Sequence, residues 1–548
     1  MKRYLLLILA VLLTACAQVP TSGPIMEVDQ PVTDVATTSF VRVLARPPQP
    51  GMTPTEIVQG FLDAASGFED NHAVAKQYLT EQGARQWNPS AGVRVYGNDT
   101  EALTTPADDT VTLTAAQVGL ISSRSQYLQS PPDSTLSVQF DLVRVGPDWR
   151  ISQAPQGLLL SRAAVERSYR EYDTYFVADP GGILAPDPVL FASSQRDVTA
   201  DLVRALLAGP SRWLAPAVSS AFPEGTRLLS VSVTDGVARV DFTTQLLAAD
   251  DAAREELSAQ LVWTLRQIAG LRAVEITADG QPFEVPEVPS PQPRTAWAEY
   301  DPDGLSSDAT YYLVRSGRVL TLDAANAAVP VNGPAGSGDP PVRDPLVSLD
   351  ETAIAATDEG GRLLTSALET GARWRDGPLA STRGGSWDRT GLLWVATPGG
   401  VEVVNVLGVR PVSSQLAGIS SVQISRDGSR AVVIADRVPY LMRVDRSGNS
   451  PALVAPRQLA AGPVRAVAWA SAMSIALLAV PGDQPPQVAT IDLGLLAVRY
   501  LGGPPRARTV AAAPDRPILS GTGDGQIWYF NGATWIPATS GRQPRYPG

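Results

Sequence analysis

The chain has 548 residues, 44% hydrophobic and 18% charged, with a formal net charge of -11 and a mean hydropathy of -0.01. It is too long for one domain, too apolar for global disorder and too polar for a polytopic membrane protein. One cysteine, Cys16, and one histidine, His72, exclude disulfides within the chain and any zinc site built from several Cys or His ligands; a Ser-His-Asp triad could draw only on His72.

Lys2 and Arg3 precede an apolar run from Tyr4 to Leu13. Spanning a bilayer takes about 20 apolar residues, so a run of about ten is a signal-peptide core. Leu13-Thr14-Ala15-Cys16 follows directly and resembles the bacterial lipobox. That resemblance implies a signal peptide over 1–15, cleavage between Ala15 and Cys16, and an S-diacylglycerol, N-palmitoyl Cys16. Two or three acyl chains hold a membrane far better than one, which binds only reversibly. The expected location is therefore the extracytoplasmic face of the cell membrane, with a lipid anchor. Cleavage removes the positive charges of Lys2 and Arg3 and no acid, taking the charge from -11 to -13. So acidic a chain argues against nucleic acid as a partner, since that needs a basic stripe. Residues 16–53 carry Pro20, Pro24, Pro31, Pro47, Pro48 and Pro50 and read as an extended spacer.

An N-terminal α+β domain is expected over 54–165. Thr53 is an N-cap, Pro54 suits N1 and Glu56 completes a capping box, with Ile57, Val58, Phe61, Leu62 and Ala65 on one face. A second helix is predicted over 73–79. His72, at its entry beside Asp70, reads as a solvated surface residue with no catalytic role. Alternating strands follow at Val111 and Leu113 and from Leu136 to Leu142, then a hairpin at Gly146-Pro147-Asp148. Helices first and then a curved sheet ending in "LVRVGPDWRIS" resemble the nuclear-transport-factor-like cone.

Residues 170–288 give the order β-α-β-β-α-β, a split sheet with both helices on one face. Thr174–Val177 is a short strand, and Asp197 or Thr199 opens a helix with Leu202, Val203, Leu206 and Leu207 inward. Two strands flank Asp235-Gly236, a dipeptide that accepts the positive φ of a tight hairpin. A helix over 251–269 carries Leu257, Leu261, Leu265 and Ile268 on one stripe and stops at Gly270. "YFVADPGGILAPD", "LVRALLAGP", "FPEGTRLLSVSVTDGVARVDF" and "QLVWTLRQIAGLRAVEITADG" resemble the GerMN (sporulation and spore-germination) domain. The resemblance implies a protein-contact or envelope-binding module and no chemistry.

Residues 284–293, rich in Pro, read as a short stiff linker. Beyond it, over 295–548, an apolar-x-apolar strand end followed by a polar turn recurs at Leu349, Trp387, Ile424, Trp469 and Ala512. Steps near 40 residues are those of propeller blades, and at about 42 residues each the segment holds about six. Tyr311–Leu322 supplies an earlier blade. A sandwich would not keep that period.

Lipobox, cone-like domain, GerMN domain and β-propeller, in this order, resemble the actinobacterial LpqB lipoproteins. Of the 44 basic residues only Lys2 and Lys76 are lysine, and the remaining 42 Arg fit a high-G+C host. The resemblance implies an interaction or regulatory scaffold that contacts the extracytoplasmic domain of the sensor kinase MtrB, modulates the MtrA–MtrB two-component system, and so affects envelope homeostasis and division. The alternative is a propeller that binds or hydrolyses envelope glycan. No catalytic, cofactor or metal residue is assigned. GxSxG, HExxH and Ser-x-x-Lys are absent. Asp301–Asp308 starts like a calcium loop but has Tyr312 at the twelfth position, and Gly521–Gln526 lacks the third glycine of a dinucleotide fingerprint. Both read as turns, and the protein is expected not to be an enzyme.

Overall fold

The computed structural model describes residues 45–68, 71–98, 101–377, 379–405, 408–459 and 462–548. In the first domain, α1 spans Pro54–Ala65. The Thr53 hydroxyl accepts from the Glu56 amide while the Glu56 carboxylate accepts from the Thr53 amide, so two N–H groups that a helix start leaves open are satisfied. Ile57, Val58, Phe61, Leu62 and Ala65 are buried, on the predicted face. The predicted second helix lasts a single turn, α2 (Ala73–Lys76), before α3 (Glu81–Gln86). A sheet follows of β1 (Val93–Tyr96), β2 (Ala102–Ala107), β3 (Thr110–Ile121), β4 (Tyr127–Gln129), β5 (Thr135–Val145), β6 (Asp148–Gln153) and β7 (Leu158–Ser161). Its order is β6-β5-β3-β1-β7, with β2 and β4 also on β3. Phe61 packs edge-on against Trp87 and Phe140, joining helix to sheet.

After α4 (Arg162–Ser168) comes a long hairpin, β8 (Tyr169–Ala178) and β9 (Leu184–Ala192). Then follow α5 (Val198–Leu207), β10 (Val218–Ser219), β11 (Leu228–Thr234), β12 (Val237–Phe242), α6 (Asp251–Leu265), β13 (Ala273–Ala278), β14 (Gln281–Pro282) and β15 (Gln292–Pro293). The order β-α-β-β-α-β is carried by β8, α5, β11, β12, α6 and β13. The strands nevertheless divide between two sheets, β10-β8-β9 and β11-β12-β13-β14, with β15 on β13. The single split sheet of the sequence reading is corrected here. β8 begins five residues before the predicted strand and pairs with β9 and β10, neighbours the sequence reading lacked. Asp235 and Gly236 sit at φ 52° and 75°, the left-handed pair that a two-residue hairpin requires.

Every residue of α6 from Leu257 to Leu265 is buried, so the helix is enclosed and not merely striped. Gln260 is satisfied by Tyr175 O and the Ala221 amide, and Trp263 donates to Trp297 O. Gln292 and Trp297 are buried, and β15 pairs with β13. The Pro-rich segment read as a stiff linker is thus laid down on the second domain as part of its packing.

Six four-stranded blades make the propeller, and the third and fourth are joined into one eight-stranded sheet by parallel pairing of their outer strands. Blade I holds β16 (Tyr312–Arg315), β17 (Arg318–Leu322) and β18 (Ala328–Pro330). Blade II runs from β19 (Val342–Val347) to β22 (Arg375–Asp376), blade III from β23 (Gly384–Trp387) to β26 (Gly408–Ser414), and blade IV from β27 (Ile419–Ile424) to β30 (Ala452–Gln458). Blade V runs from β31 (Val464–Ser471) to β34 (Val498–Tyr500), and blade VI from β35 (Ala507–Ala511) to β38 (Trp535–Ser540). The inner strand of blade I is β39 (Arg542–Arg545), which pairs with β16 and closes the ring. The recurring sequence anchors all fall within two residues of the end of a blade's inner strand. Beside the inner strands Gly548 donates to Val347 O and Arg426 donates to Pro547 O, leaving a void of about 30 Å³. The hub is therefore filled. No helix among the described residues is long and apolar enough to cross a membrane.

Candidate functional site

The turns after the inner strands of blades II, III and IV are each closed by an aspartate: Asp350, Asp388 and Asp427. In blade III, Asp388 accepts from the Thr390 and Leu392 amides and from Trp394 Nε1; in blade IV, Asp427 accepts from the Ser425 hydroxyl and the Ser429 amide. These turns form one face of the propeller, and that face is covered by the other domains. Arg389 donates to Pro180 O at 2.6 Å and Arg430 donates to Pro186 O, both on the β8–β9 hairpin. Trp213 Nε1 donates to Ala455 O at 2.9 Å, Arg443 donates to Trp213 O at 2.7 Å, and the Arg457 guanidinium lies 4.4 Å from the Trp213 ring centre. From the first domain, Gln129 donates to Gln458 O, and Arg162 donates to Leu495 O and Leu496 O. The Ala472 amide donates to Asp303 at 2.6 Å. Leu495 packs on the first domain's core, while Tyr127 and Trp213 pack on the core between blades IV and V. Residues 45–548 accordingly belong to one unit.

The junction is rich in charge. Arg430 pairs with Asp427 at 3.3 Å with both side chains buried, and Arg446 pairs with Asp388 at 3.0 Å. Burial, with the neighbouring Asp492 and Asp173, pushes the Glu171 carboxyl well above the usual range. Burial, reinforced by Asp492, raises Asp173 to about 7 against the opposing pull of Arg430. Burial raises Asp303 to about 6 and lowers Arg457 to about 10. Cavities of about 560 Å³, beside Tyr127, Trp213 and Leu493, and about 500 Å³, beside Asp173, Trp263 and Asp303, flank the junction. Among the described residues no group of three or more His, Cys, Asp or Glu is placed to hold a metal ion.

Ala15 and Cys16, the predicted cleavage and lipid-attachment residues, lie outside the described residues. His72 is not a surface residue. It is 7% exposed, with its ring 5.2 Å from Phe68 and 5.8 Å from Trp87, and Nδ1 buried without a hydrogen-bond partner. Burial lowers its pKa. The correction has a local cause: His72 takes φ 58°, in the left-handed region, ahead of a single-turn α2, so its side chain is not set by a helical first turn. Asp301–Asp308 is a turn segment that supplies Asp303 to the junction, and Gly521–Gln526 is the hairpin turn between residues 519–522 and 526–530 of blade VI. The acids and arginines of the junction were missed because each reads singly as a solvated charge.

Three family descriptions match in order: "Lipoprotein LpqB, N-terminal domain" over residues 47–166, "Sporulation and spore germination" over 173–284, and "Lipoprotein LpqB beta-propeller domain" over 317–547. Lipoprotein LpqB of Thermobifida fusca is 31% identical over 618 residues, covering 98% of this chain and 97% of the relative. Those of Streptomyces coelicolor and Mycobacterium tuberculosis are 28% and 26% identical, covering 98% and 90% of this chain and 96% and 89% of the relatives. Among solved structures, TolB from Acinetobacter baumannii is similar at 15% identity and a TM-score of 0.35, covering 59% of this chain and 99% of that one. With similarity running almost end to end and all three domains in register, the chain belongs to the LpqB lipoprotein family.

Proposed function

We propose that this lipoprotein is a non-enzymatic scaffold, tethered through a lipidated Cys16 to the extracytoplasmic face of the cell membrane, that engages the extracytoplasmic domain of the sensor kinase MtrB. Through that contact it modulates the MtrA–MtrB system and, with it, envelope homeostasis and division. The observation that carries the scaffold reading is the welded junction: one propeller face is spent on the other two domains, so a partner meets a single rigid body. The choice of MtrB rests on the family resemblance. The edge strand β11 adds support, because its Leu229 and Val233 are 51% and 49% exposed beside unpaired backbone.

Co-purification with the MtrB extracytoplasmic domain tests this. The chain and its Cys16→Ala variant should both capture the domain, and Leu229→Asp with Val233→Asp should weaken capture at least about tenfold, as for the loss of central apolar contacts. Failure of the Cys16→Ala chain to bind an intact, folded kinase domain overturns the reading.

A further inference from the structure

The propeller face opposite the junction carries a feature that the scaffold role does not use. Among the described residues, an arginine stands within one position of the first residue of five of the six inner strands: Arg343 on β19, Arg383 before β23, Arg465 on β31, Arg508 on β35 and Arg542 on β39. Since all inner strands run the same way around a propeller, these residues ring one end of the hub. Between blades VI, I and II the ring opens into a cavity of about 840 Å³ lined by Arg343, Arg508 and Arg542, with Glu359 the one acid in the lining. That volume lies within the roughly 300–1,000 Å³ of small-molecule sites.

The three arginines are not explained by their protein partners. None is in an ion pair within 4 Å among the described residues, although the chain as a whole is acidic. Arg343 donates to Glu359 O at 2.9 Å, a contact with the backbone that leaves its charge uncompensated. Like charges gathered around one opening raise the energy of the empty site, and an anion lowers it. Glycine lets the wall pack closely: a Cβ on Gly521 would meet Thr509 Oγ1 at 2.6 Å, and one on Gly317 would meet the Pro341 Cβ at 2.5 Å. No aromatic ring lines the cavity to stack on a base or a sugar, while the Thr509 hydroxyl and the Gln543 amide add neutral donors. Guanidinium forks match carboxylate and phosphate oxygens two at a time.

We propose that this cavity is a binding site for a small ligand carrying two or more oxyanion groups, phosphate or carboxylate, held by Arg343, Arg508 and Arg542. The site is independent of the kinase contact and would stand if that contact failed. Calorimetric titration of the full chain in detergent, with inorganic tripolyphosphate and separately with citrate, tests it and separates the two oxyanion types. The expected result is one saturable site per chain for at least one anion. Affinity should fall at least about tenfold in Arg508→Ala/Arg542→Ala, as for loss of two charge-assisted contacts, and stay level in Arg85→Ala, an exposed arginine of the first domain. As a second measurement that needs no variant, the favoured anion should shield Arg343, Arg508 and Arg542 of the parent chain from phenylglyoxal, and not Arg85. Absence of saturable binding to either anion, equal loss in Arg85→Ala, or equal labelling with and without anion overturns the proposal.

Discussion

Three buried titratable groups respond to pH, one with the opposite sign to the other two. His72 is held neutral between Phe68 and Trp87 with its pKa lowered by burial. The stability it contributes is present above its ordinary value of about 6.5 and lost as pH falls through the lowered one. The first domain should therefore weaken on acidification. His72→Asn tolerates the left-handed backbone and should flatten that acid limb, at a cost of roughly 1–3 kcal/mol from the lost ring contacts. Asp173 and Asp303 behave the other way. Their raised values, about 7 and about 6, mean that their contribution is present below pH 3.8 and fades as pH rises through 6 to 7. Asp173→Asn should make the melting temperature higher than the parent's at pH 8 and equal to it at pH 4, which thermal melts across that range would read. Both residues look like ordinary surface charges in sequence, because burial is a property of what folds over them.

The blade turn is the element whose chemistry was most legible. An apolar strand end followed by a polar turn recurs at steps of 38 and 37 residues from Leu349 to Trp387 to Ile424, and the aspartates that follow, Asp350, Asp388 and Asp427, each close their own turn. Asp388 also holds Trp394 Nε1 and Arg446, so Asp388→Ala strands a half-buried guanidinium and a buried indole N–H. It should destabilise the propeller by about 2 kcal/mol, the cost of leaving buried polar groups without partners, measurable by denaturant unfolding. The capping box of α1 and the Asp235-Gly236 hairpin were legible for the same reason: their partners lie within a few residues. The β8–β9 hairpin was not, since a strand of mixed polarity, buried on a domain junction, lacks the clean alternation that marks a half-solvated one.

At the scale of the molecule, the joint between the hairpin and the propeller depends on close approach. A Cβ on Gly494 would lie 2.0 Å from the Glu171 carboxyl. Gly494→Val should displace the Glu171 carboxyl from the blade V turn and lower the melting temperature of the full chain, which calorimetry would read; an unchanged melting temperature would count against the weld. Sequence by itself determined the modules, their order, the capped first helix, the tight hairpin and the blade period, because those are set by contacts a few residues apart or by repetition. Tertiary structure alone decided that β39 completes blade I some 230 residues from β16, that His72 is enclosed, that the Pro-rich segment is packed, and that scattered arginines converge on one end of the hub. Each of these joins residues far apart in the chain, and a linear pattern carries no record of which distant group ends up across the gap.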